Sequence, residues 1–173
     1  MSNFEMEKTS YPVTPAVRLL RAKRVAFEPH LYAWEEHGGT TRAAAELGVE
    51  EHGVVKTLVF ETDAGKPLLV LMHGDCEVSA KQLARALDVK SVSPCEVSKA
   101  QKLTGYMVGG ISPFGTRSEL PVCAEATIFA LPKIYLNGGK RGFLISLNPQ
   151  DLRLIVPIRE VQVGICGGAS AGS

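Results

Sequence analysis

A lysine inside an apolar strand pattern is the first residue of this sequence that could do chemistry. Lys56 interrupts the run VVKTLVF at residues 54–60, and in an extended chain it shares a side with Val54 and Phe60, while Thr57 faces the other side. The lysine either extends along the strand to reach water or points into a cleft. In a cleft it can serve as a fixed cation for a phosphate or a carbonyl oxygen, or as an acid or base.

A glycine-rich stretch, GYMVGGISPFGT at residues 105–116, is the second candidate. Gly109 and Gly110 permit backbone angles closed to other residues, and Pro113 fixes the chain just after Ser112. Such a loop can direct several N–H groups at a carbonyl oxygen, an oxyanion or a phosphate, although most glycine-rich loops are turns. The stretch fits neither common nucleotide-binding pattern, and Ser112 lacks the surroundings of a nucleophilic serine. Both a turn and a backbone cradle stay open.

A second glycine-rich stretch, NGGKRG at residues 137–142, adds Lys140 and Arg141. It is most typical of a hairpin turn with solvated charges, and it also suits contact with phosphate groups. The first predicted helix carries further basic residues that could contact nucleic-acid phosphates, although such runs more often form a solvated face. These residues are Arg18, Arg21, Lys23 and Arg24.

Composition limits the class of protein. The 173 residues, 45% hydrophobic and 21% charged, predict one globular domain with a core of its own. No apolar run approaches the roughly 18 residues of a membrane span, and the first residues lack the apolar segment of a secretory signal, so a cytoplasmic protein is expected. The formal net charge of +1 gives no overall basic signature, so binding to nucleic acid would depend on local patches.

The cysteines and histidines give no metal-binding pattern in the sequence. Four cysteines lie far apart with no CxxC pair, and the four histidines are not near them at ligand spacing. We therefore expect no metal and no cofactor, and we predict that the cysteines are small buried hydrophobic residues. They are Cys76, Cys95, Cys123 and Cys166.

Capping residues predict the helices that must position these candidates. Threonine, serine and asparagine before an apolar pattern begin helices, proline is favoured in the first turn, and glycine ends them. Ser79 with Gln82 has the form of a capping box. The predicted helices begin at Thr14, at Thr40 or Thr41, at Ser79 and at Pro149; the first runs through Arg24 and the second ends at Gly48.

The strand patterns predict a mixed α/β (α+β) fold. VVKTLVFE and PLLVLMHG flank a turn signal at Asp63–Gly65 and predict an antiparallel hairpin; FEPHLY, VKSVS, PKIYL and FLISL predict further strands. Strands interleaved with short helices favour one domain with a mixed sheet; a doubly wound parallel sheet is less compatible with the predicted hairpins. The predicted domain covers residues 13–164, preceded by a disordered segment at 1–12 and followed by a flexible tail at 165–173.

Four stretches in this order and spacing resemble the YbaK/EbsC family of freestanding aminoacyl-tRNA editing proteins, which is related to the editing domain of bacterial prolyl-tRNA synthetase. They are TPAVRLLRAKRVAFEPHLY, VVKTLVF, KLTGYMVGGISPFG and YLNGGKRG. The resemblance covers nearly the whole predicted domain and looks closest to the Cys-tRNA(Pro) deacylase branch. It implies a hydrolase that removes cysteine wrongly attached to proline tRNA, and a mixed sheet curved into a barrel-like core flanked by helices.

The resemblance also implies roles for individual residues. Lys56 matches the family's most characteristic polar site residue, which favours a cleft over solvent for its amine. Tyr32 matches a tyrosine beside the pocket, Asn137 stands where a small polar residue is expected, and Leu144 is apolar where some relatives are polar. The implied catalytic residues are Lys56, Gly109, Gly110, Ile111 and Ser112; the implied substrate-binding residues are Tyr32, Thr57, Pro113, Asn137, Gly138, Gly139, Lys140 and Arg141.

The family's chemistry implies no enzymic nucleophile and no metal, because the substrate cysteine's own thiol attacks its ester and a cyclic thiolactone leaves. The implied partners are tRNA(Pro) carrying cysteine and, transiently, prolyl-tRNA synthetase, with no membrane. Two alternatives stay open: deacylation of another mischarged tRNA such as Ala-tRNA(Pro), and a noncatalytic module that binds RNA or protein.

Overall fold

The computed structural model describes residues 10–167, which form ten strands and five α-helices. The strands are β1 Glu28–Leu31, β2 Val55–Thr62, β3 Pro67–His73, β4 Glu77–Val78, β5 Val92–Pro94, β6 Val122–Glu125, β7 Ile134–Lys140, β8 Phe143–Leu147, β9 Ile158–Val161 and β10 Gly164–Ile165. The helices are α1 Pro15–Ala22, α2 Gly39–Leu47, α3 Ala80–Leu87, α4 Val97–Thr104 and α5 Leu152–Ile155. Every helix in this part of the chain is too short to cross a bilayer.

The strands form three sheets. A five-stranded sheet has the order β5-β2-β3-β6-β9, in which β5, β2 and β3 are antiparallel and β6 is parallel to both β3 and β9. A three-stranded antiparallel sheet has the order β1-β8-β7, and β4 pairs with β10. A parallel bridge between Val54 and Tyr135 joins the two larger sheets. The predicted mixed fold is confirmed, but the described strands do not close into a barrel.

The β2–β3 hairpin lies in the interior of the larger sheet, and both of its faces are covered by other elements. Val59 and Leu69 belong to the main core, which also receives α1 and the inner side of β7 and β8. Phe60 and Met72 point the other way, into a second core beneath α3. A strand buried on both sides is apolar throughout, so Lys56 near its start requires a special environment.

Side-chain caps determine where two helices begin. The hydroxyl of Thr14 accepts a hydrogen bond from the Val17 amide at 3.1 Å, and that of Ser79 accepts one from the Gln82 amide at 3.2 Å. Both predicted helix starts are confirmed. The first helix ends at Ala22, two residues earlier than predicted.

The alanine-rich helix begins differently from the prediction. It starts at Gly39, and its N-cap residue makes no side-chain cap. Thr40 instead donates to the Glu51 carboxylate at 2.7 Å and lies 3.2 Å from the carbonyl oxygen of Gly74. The predicted end is confirmed, because Gly48 adopts φ +68°, which glycine accepts at little cost.

Several elements have no clear sequence pattern. Helix α4, the parallel strands β6 and β9, and the short strands β4 and β10 were not predicted, and β5 covers only part of VKSVS. Strands of two to four residues are too short to show the alternation that identifies a half-buried strand. Their pairing with distant strands stabilises them instead.

The folded chain includes residues at both ends that the sequence assigned to disordered segments. Tyr11 stacks on Phe143 with ring centroids 5.8 Å apart, and it packs against the main core. Cys166 is bonded to Cys76, and Ile165 lies in β10. The rest of the two predicted disordered segments, residues 1–9 and 168–173, lies outside the described residues.

The prediction for the cysteines is correct for one and wrong for a pair. Cys123 is a buried free thiol, and Cys95 is a partly buried one whose Sγ lies 3.3 Å from the Glu61 carboxylate. Burial raises the pKa of Cys95 to about 11, so its thiol stays protonated near neutral pH. Cys76 and Cys166 instead form a disulfide across 90 residues of sequence, because the β4–β10 pair brings them together.

Candidate functional site

Lys56 is held at the start of β2 by two oxygen atoms of the chain that follows β3. Its Nζ lies 3.5 Å from the carbonyl oxygen of Gly74 and 3.5 Å from Oε1 of Glu77. The lysine side chain is 20% exposed, whereas that of Glu77 is 81% exposed. An ion pair with so exposed a carboxylate is weak. The ammonium is therefore positioned by the protein and can still exchange Glu77 for an oxygen of a ligand.

The fold brings Lys56 and the NGGKRG hairpin to the same surface. The parallel bridge joins Val54 to Tyr135, and Lys56 and Asn137 each follow two residues later on the same side of their strands. Leu144 is the direct partner of Asn137 across the β7–β8 ladder. The resemblance assigned these positions to one pocket, and the topology places them on one face.

Asn137 ties the hairpin to the GGISP loop, residues 109–113. Its Nδ2 donates to the carbonyl oxygen of Gly109 at 3.1 Å. Its Oδ1 accepts from the amides of Gly139 at 2.7 Å and Lys140 at 3.0 Å. Because its amide group already makes three hydrogen bonds, Asn137 fixes the two loops relative to each other rather than offering itself to a ligand.

Glycine is required where the GGISP loop crosses the hairpin. A Cβ added at Gly110 would lie 2.8 Å from the backbone nitrogen of Arg141 and 2.9 Å from the carbonyl carbon of Lys140. Gly109 adopts φ +94°, and a Cβ there would lie 3.2 Å from the Trp34 ring. The two loops therefore form one packed unit, which a pair of independent turns would not.

The hairpin's basic residues have different roles. The Arg141 guanidinium lies 4.4 Å from the centre of the Trp34 ring, and its Nε donates to the Val108 carbonyl at 2.9 Å. Arg141 thus supports the GGISP loop from outside. Lys140 is exposed and has no ion-pair partner among residues 10–167, so its charge is available to a phosphate.

The GGISP loop carries amide groups that the fold leaves unpaired. The Gly110 amide donates to the carbonyl of Met107 at 2.8 Å. Those of Gly109, Ile111 and Ser112 have no hydrogen-bond partner within the described part of the chain. Gly109 is exposed, whereas residues 110–113 are buried. The loop therefore places one unpaired amide, that of Gly109, at an exposed residue, as a backbone cradle for a ligand would require.

Tyr32 and Leu144 form an apolar wall beside this surface. Tyr32 packs against the cluster formed by Val54, Leu144 and the two buried alanines of α2. Burial raises the pKa of the Tyr32 phenol, so the ring presents a neutral hydroxyl. The Tyr32 amide donates to Gly142 at the end of the hairpin at 2.9 Å.

Thr57 is not brought to the surface of Lys56. It faces the opposite side of β2, together with the core residues Val55 and Val59. Its hydroxyl oxygen is buried without a hydrogen-bond partner in the described structure. We therefore leave Thr57 out of the proposed site.

Gly138 and Gly139 are required for packing of the hairpin. An added Cβ would meet the ring of Phe143 at 2.4 Å at the first position and the ring of Tyr106 at 2.7 Å at the second.

Sequence reasoning missed the residues that hold Lys56 and Arg141. Gly74, Glu77 and Trp34 act through tertiary contacts, and nothing in their local pattern identifies them. The start of α1 lies beside the hairpin, because the Thr14 hydroxyl donates to the Gly138 carbonyl. Two surface clefts of about 420 and 480 Å³ border α3 and contain none of the predicted site residues.

Comparison with known proteins shows which family the chain is similar to. The aminoacyl-tRNA editing domain matches residues 35–155. The chain is 30% identical over 147 residues to EbsC of Enterococcus faecalis, covering 84% of this chain and 90% of that protein, which carries an inferred assignment as a Cys-tRNA(Pro)/Cys-tRNA(Cys) deacylase. It is 27% identical over 166 residues to the proline–tRNA ligase of Streptococcus equi subsp. equi, covering 94% of this chain but only 26% of the ligase.

Solved structures show the same fold. A protein described, by inference, as a trans-editing enzyme for prolyl-tRNA synthetase superposes with a TM-score of 0.76 at 21% identity, covering 89% of this chain and 99% of its own. A hypothetical protein superposes with a TM-score of 0.81 at 22% identity, covering 88% and 100%. At these identities the likeness shows the fold alone. The domain match and the relation to EbsC show that this chain belongs to the aminoacyl-tRNA editing domain family.

Proposed function

We propose that the protein is a trans-acting deacylase that removes cysteine from mischarged Cys-tRNA(Pro). One observation carries the proposal: a bridge joins the strand of Lys56 to the strand of the NGGKRG hairpin, and Asn137 of that hairpin binds the GGISP loop, whose Gly109 amide is unpaired in the described structure. A cation and an unpaired amide can stabilise the negative charge that develops on an ester carbonyl oxygen when the ester is attacked. The nucleophile can then come from the substrate itself. The relation to EbsC supports cysteine as the amino acid, and the relation to proline–tRNA ligases supports tRNA(Pro).

The proposed reaction needs no group from the protein to form a covalent bond. The thiol of the bound cysteinyl group attacks its own ester carbonyl, a carbon–sulfur bond forms, and the carbon–oxygen bond to the terminal ribose breaks. The thiol proton ends on the ribose hydroxyl, and a cyclic thiolactone leaves. An attached nucleophile reacts at a high effective concentration, so holding the substrate in a folded conformation supplies much of the acceleration.

The protein's contribution is electrostatic. The Lys56 ammonium would donate a hydrogen bond to an oxygen of the aminoacyl ester or the terminal nucleotide in place of Glu77. The exposed amide of Gly109 is a donor for the oxyanion that develops in the tetrahedral intermediate. The apolar wall of Tyr32 and Leu144 excludes water from one side of the surface, which strengthens these interactions.

Binding of the tRNA depends on a small number of phosphate contacts. Lys140 beside the cradle and the exposed basic residues of α1 are the proposed contacts. With a formal net charge of +1, the protein should bind tRNA weakly and with a salt dependence set by these few contacts. Transient association with prolyl-tRNA synthetase would then supply the choice of tRNA(Pro).

The substrate comparison tests the proposed chemistry. The protein should release cysteine from Cys-tRNA(Pro) and leave Ala-tRNA(Pro) intact, because alanine has no thiol to attack the ester. Deacylation of both tRNAs is followed as loss of radiolabelled amino acid from acid-precipitable tRNA, with uncatalysed hydrolysis subtracted. Equal release of alanine would contradict substrate-assisted attack and favour a broader deacylase; no release from either tRNA would favour a noncatalytic binding module.

Replacement of Ser112 by alanine should leave the deacylation rate unchanged. Ser112 is fully buried, and its Oγ accepts a hydrogen bond from the Phe114 amide at 3.2 Å within the same loop. Losing that bond should lower the free energy of unfolding by about 1 kcal/mol. Single-turnover deacylation and urea unfolding measure the two effects separately. A complete loss of activity in a folded Ser112→Ala variant would show that a serine nucleophile operates after all.

A further inference from the structure

The fold assembles a group of metal-ligating side chains that the sequence spacing does not reveal. Donor atoms of His52, Asp75 and Cys76 all lie within 4.8 Å of one another. His52 Nδ1 is 2.8 Å from Asp75 Oδ1, and Cys76 Sγ is 3.4 Å from the same oxygen. The sulfur of Cys166 is bonded to that of Cys76, so it adds a fourth donor at the same place.

The imidazole of His52 is held in a fixed orientation. It stacks on the ring of His73 with centroids 3.7 Å apart and planes 7° apart. His73 is itself fixed, since its Nδ1 bonds the His52 carbonyl at 2.8 Å and its Nε2 bonds the Thr127 hydroxyl at 2.7 Å. The stack on a fixed ring limits rotation of the His52 side chain.

The disulfide decides whether the four donors can bind a metal. A thiolate is a strong ligand for zinc, whereas a disulfide sulfur is a poor one. A dithiol reductant would pass two electrons and two protons to the Cys76–Cys166 bond, giving two protein thiols while the reductant becomes a disulfide. Cys166 is partly exposed, so a reductant can reach one end of the bond. Metal binding would then release the two thiol protons.

We infer that the reduced protein contains a zinc site made of His52, Asp75, Cys76 and Cys166, and that oxidation to the disulfide abolishes it. Two thiolates, one imidazole and one carboxylate match the tetrahedral coordination that zinc prefers. Asp75 and Cys76 lie between Gly74 and Glu77, the two residues that contact Lys56. The proposed site therefore belongs to the segment that positions the candidate catalytic lysine, but its existence does not depend on the deacylase function.

Titration with Co²⁺ as a probe for zinc tests this inference. The protein is reduced with a phosphine, which unlike a dithiol binds zinc weakly, and the reductant is removed without air. We expect one Co²⁺ per chain, with thiolate-to-cobalt charge-transfer absorption and the visible bands of tetrahedral cobalt, and displacement of cobalt by Zn²⁺. The disulfide form of the same protein should show neither absorption.

Variants identify the ligands. His52→Ala, Asp75→Asn and Cys166→Ser should each raise the dissociation constant for Co²⁺ at least about tenfold. Cys95→Ser is the matched control, because it removes a thiol whose contact is with Glu61 and should bind as the wild type does. Asp75 is 42% exposed, so its replacement should leave the fold intact. Absence of charge-transfer absorption in the reduced wild type, unchanged binding by the three variants, or sulfurs that cannot be reduced in the folded protein would each overturn the inference.

Discussion

Replacement of Lys56 by alanine is expected to lower the deacylation rate of Cys-tRNA(Pro) by about 10²–10³-fold, the usual cost of removing one group that stabilises a developing oxyanion. The fold holds this ammonium 3.5 Å from each of two protein oxygens. Its ion-pair partner is mostly exposed, so losing the pair should cost little stability. Single-turnover deacylation at saturating enzyme measures the effect on the chemical step.

Lys66→Ala is the matched control for this experiment. Lys66 is exposed in the turn of the same β2–β3 hairpin, and its removal changes the net charge by the same amount. This control variant should deacylate like the wild type. If Lys56→Ala is equally active while circular dichroism shows both variants folded, Lys56 is not part of the catalytic machinery and the proposed site is wrong.

Replacement of Gly110 by alanine is expected to reduce deacylation by about 10²-fold, because a displacement of about 1 Å in catalytic groups has effects of that size. The new Cβ would lie 2.8 Å from the backbone nitrogen of Arg141, and backbone atoms cannot move aside as a flexible side chain can. The GGISP loop must therefore shift away from the hairpin. Such overpacking should also lower the free energy of unfolding by about 1–3 kcal/mol.

Gly53→Ala separates this steric effect from the general cost of replacing a glycine. A Cβ at Gly53 would meet nothing closer than 3.9 Å, and Gly53, like Gly110, does not have a positive φ. The Gly53→Ala variant should keep both activity and stability. Wild-type activity in Gly110→Ala would contradict a role for the packed loops, and the GGISP stretch would then be only a turn.

The sequence by itself determined the elements whose causes are local. Thr14 and Ser79 cap helices because their hydroxyls reach an amide three residues later. The β2–β3 hairpin follows from two apolar runs around a turn that contains Gly65 at φ +76°. Lys56 is conspicuous because a charge rarely occurs within such an apolar strand pattern, and this contrast is visible without any structure.

The tertiary structure decided everything that depends on pairing between distant parts of the chain. Alternation already separates Thr57 from Lys56 in the sequence, but only the packing of the sheets decides that the face of Thr57 turns toward the main core. Asn137 binds Gly109 only because two loops meet. The cluster of His52, Asp75 and Cys76 and the Cys76–Cys166 bond likewise join segments that have no common motif. Local physics predicts caps, turns and alternation, whereas long-range contacts are determined by how the sheets pack.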